Sequence, residues 1–90
     1  MPQISKEKQQ KISEQILYFL FTISPESRFT SEIAKEIARD EEYTKKILLD
    51  LKKNSLIIEI NKNSKGTSYI KRQRWRLSKE VFQIYKNRQQ

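Results

Sequence analysis

From residue 6 to residue 54 the apolar positions recur with the period of an α-helix, and after Asn54 they alternate. In residues 6–23, Ile12, Ile16, Phe19, Leu20 and Ile23 fall on one helical stripe, with Leu17 and Phe21 forming a second apolar edge beside it. Ser5 is placed to cap this helix. Ser24-Pro25 ends it, because the residue before a proline avoids helical backbone. The stretch ESRFT (26–30) reads as a very short strand whose one large apolar residue, Phe29, is expected to point inward. Thr30 or Ser31 can then cap a second helix, 31–39, with Ile33, Ala34, Ile37 and Ala38 on its buried side. Asp40 is a good cap for a third helix, 41–54, and Glu41 and Glu42 occupy the first turn, where the helix dipole favours negative charge. Thr44, Ile47, Leu48 and Leu51 make its core face, while Glu42, Lys45, Lys46, Leu49 and Lys53 face out.

Beyond Asn54, Leu56, Ile58 and Ile60 alternate with Ile57, Glu59 and Asn61, which predicts a strand. NKNSKGTS (61–68) contains turn residues only, and 69–77 alternate again, so 56–77 reads as a β-hairpin with a long loop. In its second strand Tyr69, Lys71, Gln73, Trp75 and Leu77 share one face and Ile70, Arg72, Arg74 and Arg76 the other; Trp75 and Leu77 are expected to enter the core. Ser78 can cap a last helix, 79–88, with Val81, Phe82 and Tyr85 on one face and Ile84 beside it. A run of short helices followed by a hairpin and one more helix predicts a small α+β domain.

Charge adds a direction to this picture. The 90 residues carry 19 basic and 11 acidic side chains, a net charge of +8. Residues 25–54 balance seven against seven, whereas 70–90 hold seven basic residues against Glu80 alone, a net of +6. Such asymmetry suggests a polyanionic partner, most often nucleic acid. One domain of this size buries only about 60–65% of its unfolded surface, so its core is small.

The residue inventory argues against an enzyme. There is no Cys and no His, which removes disulfides, thiolate sites, the commonest general base and the commonest zinc ligand. Asp40, Glu41 and Glu42 are adjacent carboxylates that do not share a helix face, and no Gly-rich phosphate loop precedes a helix. No cofactor and no metal are expected. Apolar runs are far shorter than the roughly 20 residues that cross a bilayer. The start, MPQISKEKQQ, lacks the apolar run of a signal peptide, so no membrane contact and a cytoplasmic location are expected.

Three pieces of the chain, FTSEIAKEIARDEEYTKKILLDLKKNSLI (29–57), NKNSKGTS (61–68) and RWRLS (74–78), together resemble the winged helix-turn-helix DNA-binding domains. The resemblance covers essentially the whole chain through pattern and order rather than an invariant signature, and the chain departs from many members in having no Gly between its second and third helices. It implies a three-helix core, a C-terminal β-hairpin wing and a final helix, with 41–54 as recognition helix and loop 61–68 as wing. A helix of this kind fits the major groove, its N-terminal half nearest the bases. Candidate DNA-binding residues are then Tyr43, Lys45, Lys46 and Lys53 on the helix, Thr30 and Ser31 at a helix start, and Lys62, Asn63, Lys65, Thr67 and Arg72 on the hairpin.

The function expected is double-stranded DNA binding by a small, sequence-specific transcriptional regulator. An alternative is a protein–protein interaction module in a larger nucleic-acid-handling complex, prompted by exposed Leu49 and the acids at the start of helix 41–54. RNA binding is a third reading, with Tyr69 and Trp75 as stacking residues. Leu17, Tyr18 and Phe21, with Phe82 and Tyr85, exceed what one core stripe needs; in similar proteins the terminal helices pair two subunits. A homodimer through these helices is expected, against the alternative that they pack on each other within one chain.

Overall fold

A computed structural model describes residues 6–60 and 73–88. Four helices and three short strands follow in the order α1 (Lys6–Ile23), β1 (Arg28–Phe29), α2 (Thr30–Glu36), α3 (Glu41–Lys53), β2 (Ile57–Ile60), β3 (Arg74–Leu77) and α4 (Lys79–Arg88). β3 lies at the centre of an antiparallel sheet, between β1 and β2. Arg28 and Phe29 pair with Trp75 and Arg74, while Ile57 to Ile60 run against Leu77 to Arg74. The fold is α+β, as the pattern predicts, and the short strand at 28–29 turns the expected hairpin into a three-stranded sheet.

The core fills the space between α1, α2, α3 and one face of that sheet. Ile16, Leu20, Ile33, Ile47, Leu48, Thr44 and Trp75 are its most deeply buried side chains. On α1 the buried set is Ile12, Ile16, Leu17 and Leu20, while Phe19, Phe21 and Ile23 pack at the margin. The expected stripe is thus rotated by part of a turn towards Leu17. All four residues assigned to the core face of α3 are buried, and Thr44 satisfies its hydroxyl by donating to the Asp40 carbonyl at 2.8 Å. Asp40 caps α3 through its carboxylate, which accepts from Tyr43 N–H at 3.0 Å.

α2 departs from its expected bounds at both ends. Thr30 is its first residue rather than its cap. Phe29 holds the cap position, and its N–H donates to the Glu32 carboxylate at 2.9 Å. The helix stops at Glu36, three residues early, and Ala38 is exposed with φ 57° instead of being buried. Ala38 N–H donates to Lys35 carbonyl and Arg39 N–H to Ala34 carbonyl, the paired bonds of a Schellman ending. α3 ends in the same way past its cap Asn54: Ser55, with φ 63°, donates to Lys52 carbonyl and Leu56 to Leu51 carbonyl. This moves Leu56 out of the strand and into the helix ending. Glycine is the usual residue at these left-handed positions, so its absence hid both endings from the sequence pattern.

Strand alternation sorts the sheet faces. Ile57 and Glu59 pair with Leu77 and Trp75 on the core side, leaving Ile58 and Ile60 with Arg76 and Arg74 on the other side. Ser78 caps α4, its hydroxyl accepting from Val81 N–H at 3.3 Å. The proposed cap Ser5, the outer part of the second strand (69–72) and loop 61–68 lie outside the described residues.

Candidate nucleic-acid interface

α3 presents the surface that the pattern singled out. Its outward side carries Glu41, Glu42, Lys45, Lys46, Leu49, Asp50, Lys52 and Lys53, all exposed. Lys52 is held by Glu59, Nζ to Oε1 at 2.7 Å. Lys45, Lys46 and Lys53 have no ion-pair or hydrogen-bond partner among the described residues, which leaves three cations available on one helix.

The start of α2 and the first half of α3 meet at a shallow hollow of about 210 Å³, lined by Phe29, Thr30, Ser31, Glu32, Glu41, Lys45 and Gln73. Of the expected contact residues, Thr30, Ser31 and Lys45 therefore come together, while Lys46 and Lys53 lie outside the hollow on the same helix. Ser31 is exposed and faces out, whereas Thr30 is buried. The Thr30 hydroxyl accepts from the Trp75 indole N–H at 2.8 Å, and its N–H donates to Gln73 carbonyl. Burial of the indole makes that hydroxyl a structural partner of Trp75. Tyr43 is also turned inward: it is half-buried against the core, and its hydroxyl is buried with no partner among the described residues. Lys62, Asn63, Lys65, Thr67 and Arg72 lie outside the described residues.

Sequence reasoning missed the clamp that sets β2 and β3 against α3. The Glu59 side chain is only 7% exposed. One of its oxygens takes the Lys52 ammonium and the other accepts from the Gln73 amide at 2.5 Å. Gln73 shares the strand face of Trp75, so its inward direction was readable; its partner across the loop was not. On the other face Arg74 is half-buried, its guanidinium 6.0 Å from the centre of the Phe29 ring.

Of the five residues expected to pair two subunits, Leu17, Phe21, Phe82 and Tyr85 pack inside the chain, and Tyr18 does not. Leu17 is buried in the core. Phe21 stacks on Tyr85 and meets Phe82 at a 40° tilt, each with ring centres 5.4 Å away, which joins α1 to α4. Tyr18 and Ile84 remain exposed at 54% and 53%. Burial raises the Tyr85 phenol above its ordinary value, the Glu14 carboxylate adds to this, and Arg88 opposes it. A second hollow, of about 490 Å³ and mostly apolar, lies between Ser24, Pro25, Arg76, Leu77, Lys79, Phe82 and Gln83, and shares no residue with the first. Among the described residues no three acidic side chains are grouped to hold a metal, and no helix is long and apolar enough to cross a membrane.

No protein-family model matches the sequence, and no curated protein matches it. Solved structures do match the fold. The MepR–DNA complex of S. aureus superimposes with a TM-score of 0.72 at 16% identity, over 92% of this chain and 65% of that one. A mutant of ZitR from Lactococcus lactis in its apo form gives 0.69 at 18% identity, over 92% of this chain and 58% of that one. A MepR mutant from a multidrug-resistant S. aureus clinical isolate gives 0.68 at 17% identity, over 86% and 53%. MepR is described as a transcription regulator of a multidrug efflux pump, and ZitR as a zinc-responsive MarR family member. This chain spans between half and two-thirds of their lengths. At this level of identity the likeness establishes architecture, and the architecture of this chain is that of a winged helix-turn-helix domain.

Proposed function

We propose that the chain binds double-stranded DNA as a sequence-specific transcriptional regulator, with α3 in the major groove and loop 61–68 as the wing. The observation that carries this reading is the outward face of α3, where Lys45, Lys46 and Lys53 stand exposed and without partners among the described residues. An α-helix fits the major groove, and lysines there reach phosphate or guanine. Structures of the same fold solved with DNA support it, among them the S. aureus MepR–DNA complex. The surplus of positive charge in 70–90 supplies long-range attraction. If about five to eight phosphates are neutralised, duplex affinity falls roughly 10²–10⁴-fold between 50 and 200 mM salt. A titration of duplex DNA at the two salt concentrations tests this; a flat response rules the reading out.

A second reading, a module that docks another protein, is favoured by the apolar hollow of Pro25, Leu77 and Phe82 with Arg76 and Lys79 at its rim. Charge reversal in Lys45→Glu/Lys46→Glu separates the two. Loss of duplex binding with the fold intact argues against the docking module, whereas a wild-type chain that binds no duplex favours it.

A further inference from the structure

The outward face of α3 carries one apolar residue, Leu49, among charged ones. At about 100° per residue, Leu49 and Lys46 lie about 150° round the helix from the centre of the buried stripe, and Glu42 and Lys53 about 170°. Leu49 is 42% exposed. Lys45 and Lys46 precede it by four and three residues and Lys53 follows by four, so the three lysines that have no partner among the described residues are its helical neighbours. Leu49 is not part of the core cluster, and it stands where a helix in a groove would meet its partner.

Two surfaces take an exposed leucine. A protein groove that receives a helix reads several apolar anchors at i, i+3 or i+4, and i+7. Here Glu42, Lys45, Lys46, Asp50, Lys53 and Leu49 itself share the face, and Leu49 is the single anchor among them. The DNA major groove matches the whole set: phosphates at its edges for lysines, and on its floor one apolar group, the thymine C5-methyl. Glu42, on the same line, faces that floor too, where the cytosine amino group is a donor and phosphates are farther off.

We propose that Leu49 reads thymine, packing on the C5-methyl, while Lys45, Lys46 and Lys53 hold the flanking phosphates or guanine edges. The preferred site then has an A·T pair where the middle of α3 meets the groove. This rests on the DNA-binding reading above and goes further by naming the residue and the base.

The test begins by selecting duplexes from a random pool with the wild-type chain. Each thymine of the selected duplex is then replaced in turn by deoxyuridine, which removes only the methyl group. Burying one such carbon is worth roughly a fourfold change in affinity. Wild-type binding is expected to weaken by about that factor at one or two thymines per site, and Leu49→Ala to bind the thymine and deoxyuridine duplexes alike. Leu49 is exposed, so the truncation leaves thermal stability unchanged. Three results count against the proposal. Wild-type binding that is strong and salt-dependent but indifferent to every replacement overturns it and leaves DNA binding standing; a protein-docking role for Leu49 gives this result. A Leu49→Ala variant that keeps the full deoxyuridine effect overturns it as well. Failure to select any duplex removes the DNA-binding reading, and the proposal with it.

Discussion

Four residues carry constraints that reach beyond their own positions. Thr30 satisfies the one tryptophan of the chain, whose ring is fully buried. Thr30→Val keeps the shape and leaves the indole N–H without its acceptor, so unfolding in urea, followed by Trp75 fluorescence, is expected to show a loss of about 1–3 kcal/mol. Ala38 and Ser55 occupy left-handed backbone, at φ 57° and 63°, where a Cβ is disfavoured by roughly 1–2 kcal/mol. Ala38→Gly and Ser55→Gly are each expected to raise stability, by about 0.5–1 kcal/mol once the greater freedom of glycine in the unfolded chain is subtracted. Tyr85 links stability to alkaline pH. Its phenol is neutral in both states below the ordinary value of 10.0, and above it the unfolded chain ionises first because burial raises the folded value. Stability is therefore lost as pH rises from about 10 through the folded value. Denaturation midpoints measured from pH 8 to 11 are expected to fall less for Tyr85→Phe than for the wild type.

At the scale of elements, α3 joins two jobs on opposite sides of one helix. Thr44, Ile47, Leu48 and Leu51 are buried and constrain its rotation, which decides that Lys45, Lys46, Leu49 and Lys53 face out. Its two ends are also held, by the Asp40 cap and by the Lys52–Glu59–Gln73 clamp to the sheet. A helix held this way presents its cations as a set, and the set should be counted in salt. Each phosphate neutralised on B-DNA contributes about 0.9 to the slope of log affinity against log salt. Lys45→Glu/Lys46→Glu is expected to lower the slope by about 2 and to weaken duplex binding at least 100-fold at low salt, with the circular dichroism spectrum unchanged. An unchanged slope would move the contact surface off this helix.

At the scale of the whole molecule, the question is how much apolar surface the fold leaves uncovered. The aromatic cluster of Phe21, Phe82 and Tyr85 closes α1 on α4 within one chain and uses part of the surface that the sequence offered for pairing. Tyr18 and Ile84 are what remain exposed on these two helices. Pairing of two copies there is expected to present two α3 helices to half-sites about one duplex turn apart. Light scattering at high micromolar concentration should then give about twice the chain mass, and Tyr18→Glu/Ile84→Glu should return it to the mass of one chain. A wild-type chain that scatters as a monomer removes the pairing and leaves a single α3 per binding unit.

Local chemistry made much of this protein readable without coordinates. The bounds of α1 and α4 follow from stripes and terminators, Asp40 and Ser78 from their place before apolar periodic segments, and the core faces of α3 and of Trp75–Leu77 from period alone. These depend on residues a few positions apart, where spacing along the chain and spacing in the fold are the same thing. Tertiary structure decided the rest. It turned Thr30 and Tyr43 inward, stopped α2 at Glu36 with an alanine where glycine is usual, and joined Glu59 to both Lys52 and Gln73. In each of these the partner lies across a loop or on another element, or the backbone adopts a conformation its residue does not prefer. Such outcomes are set by the packing of the whole core, and no short window of sequence contains it.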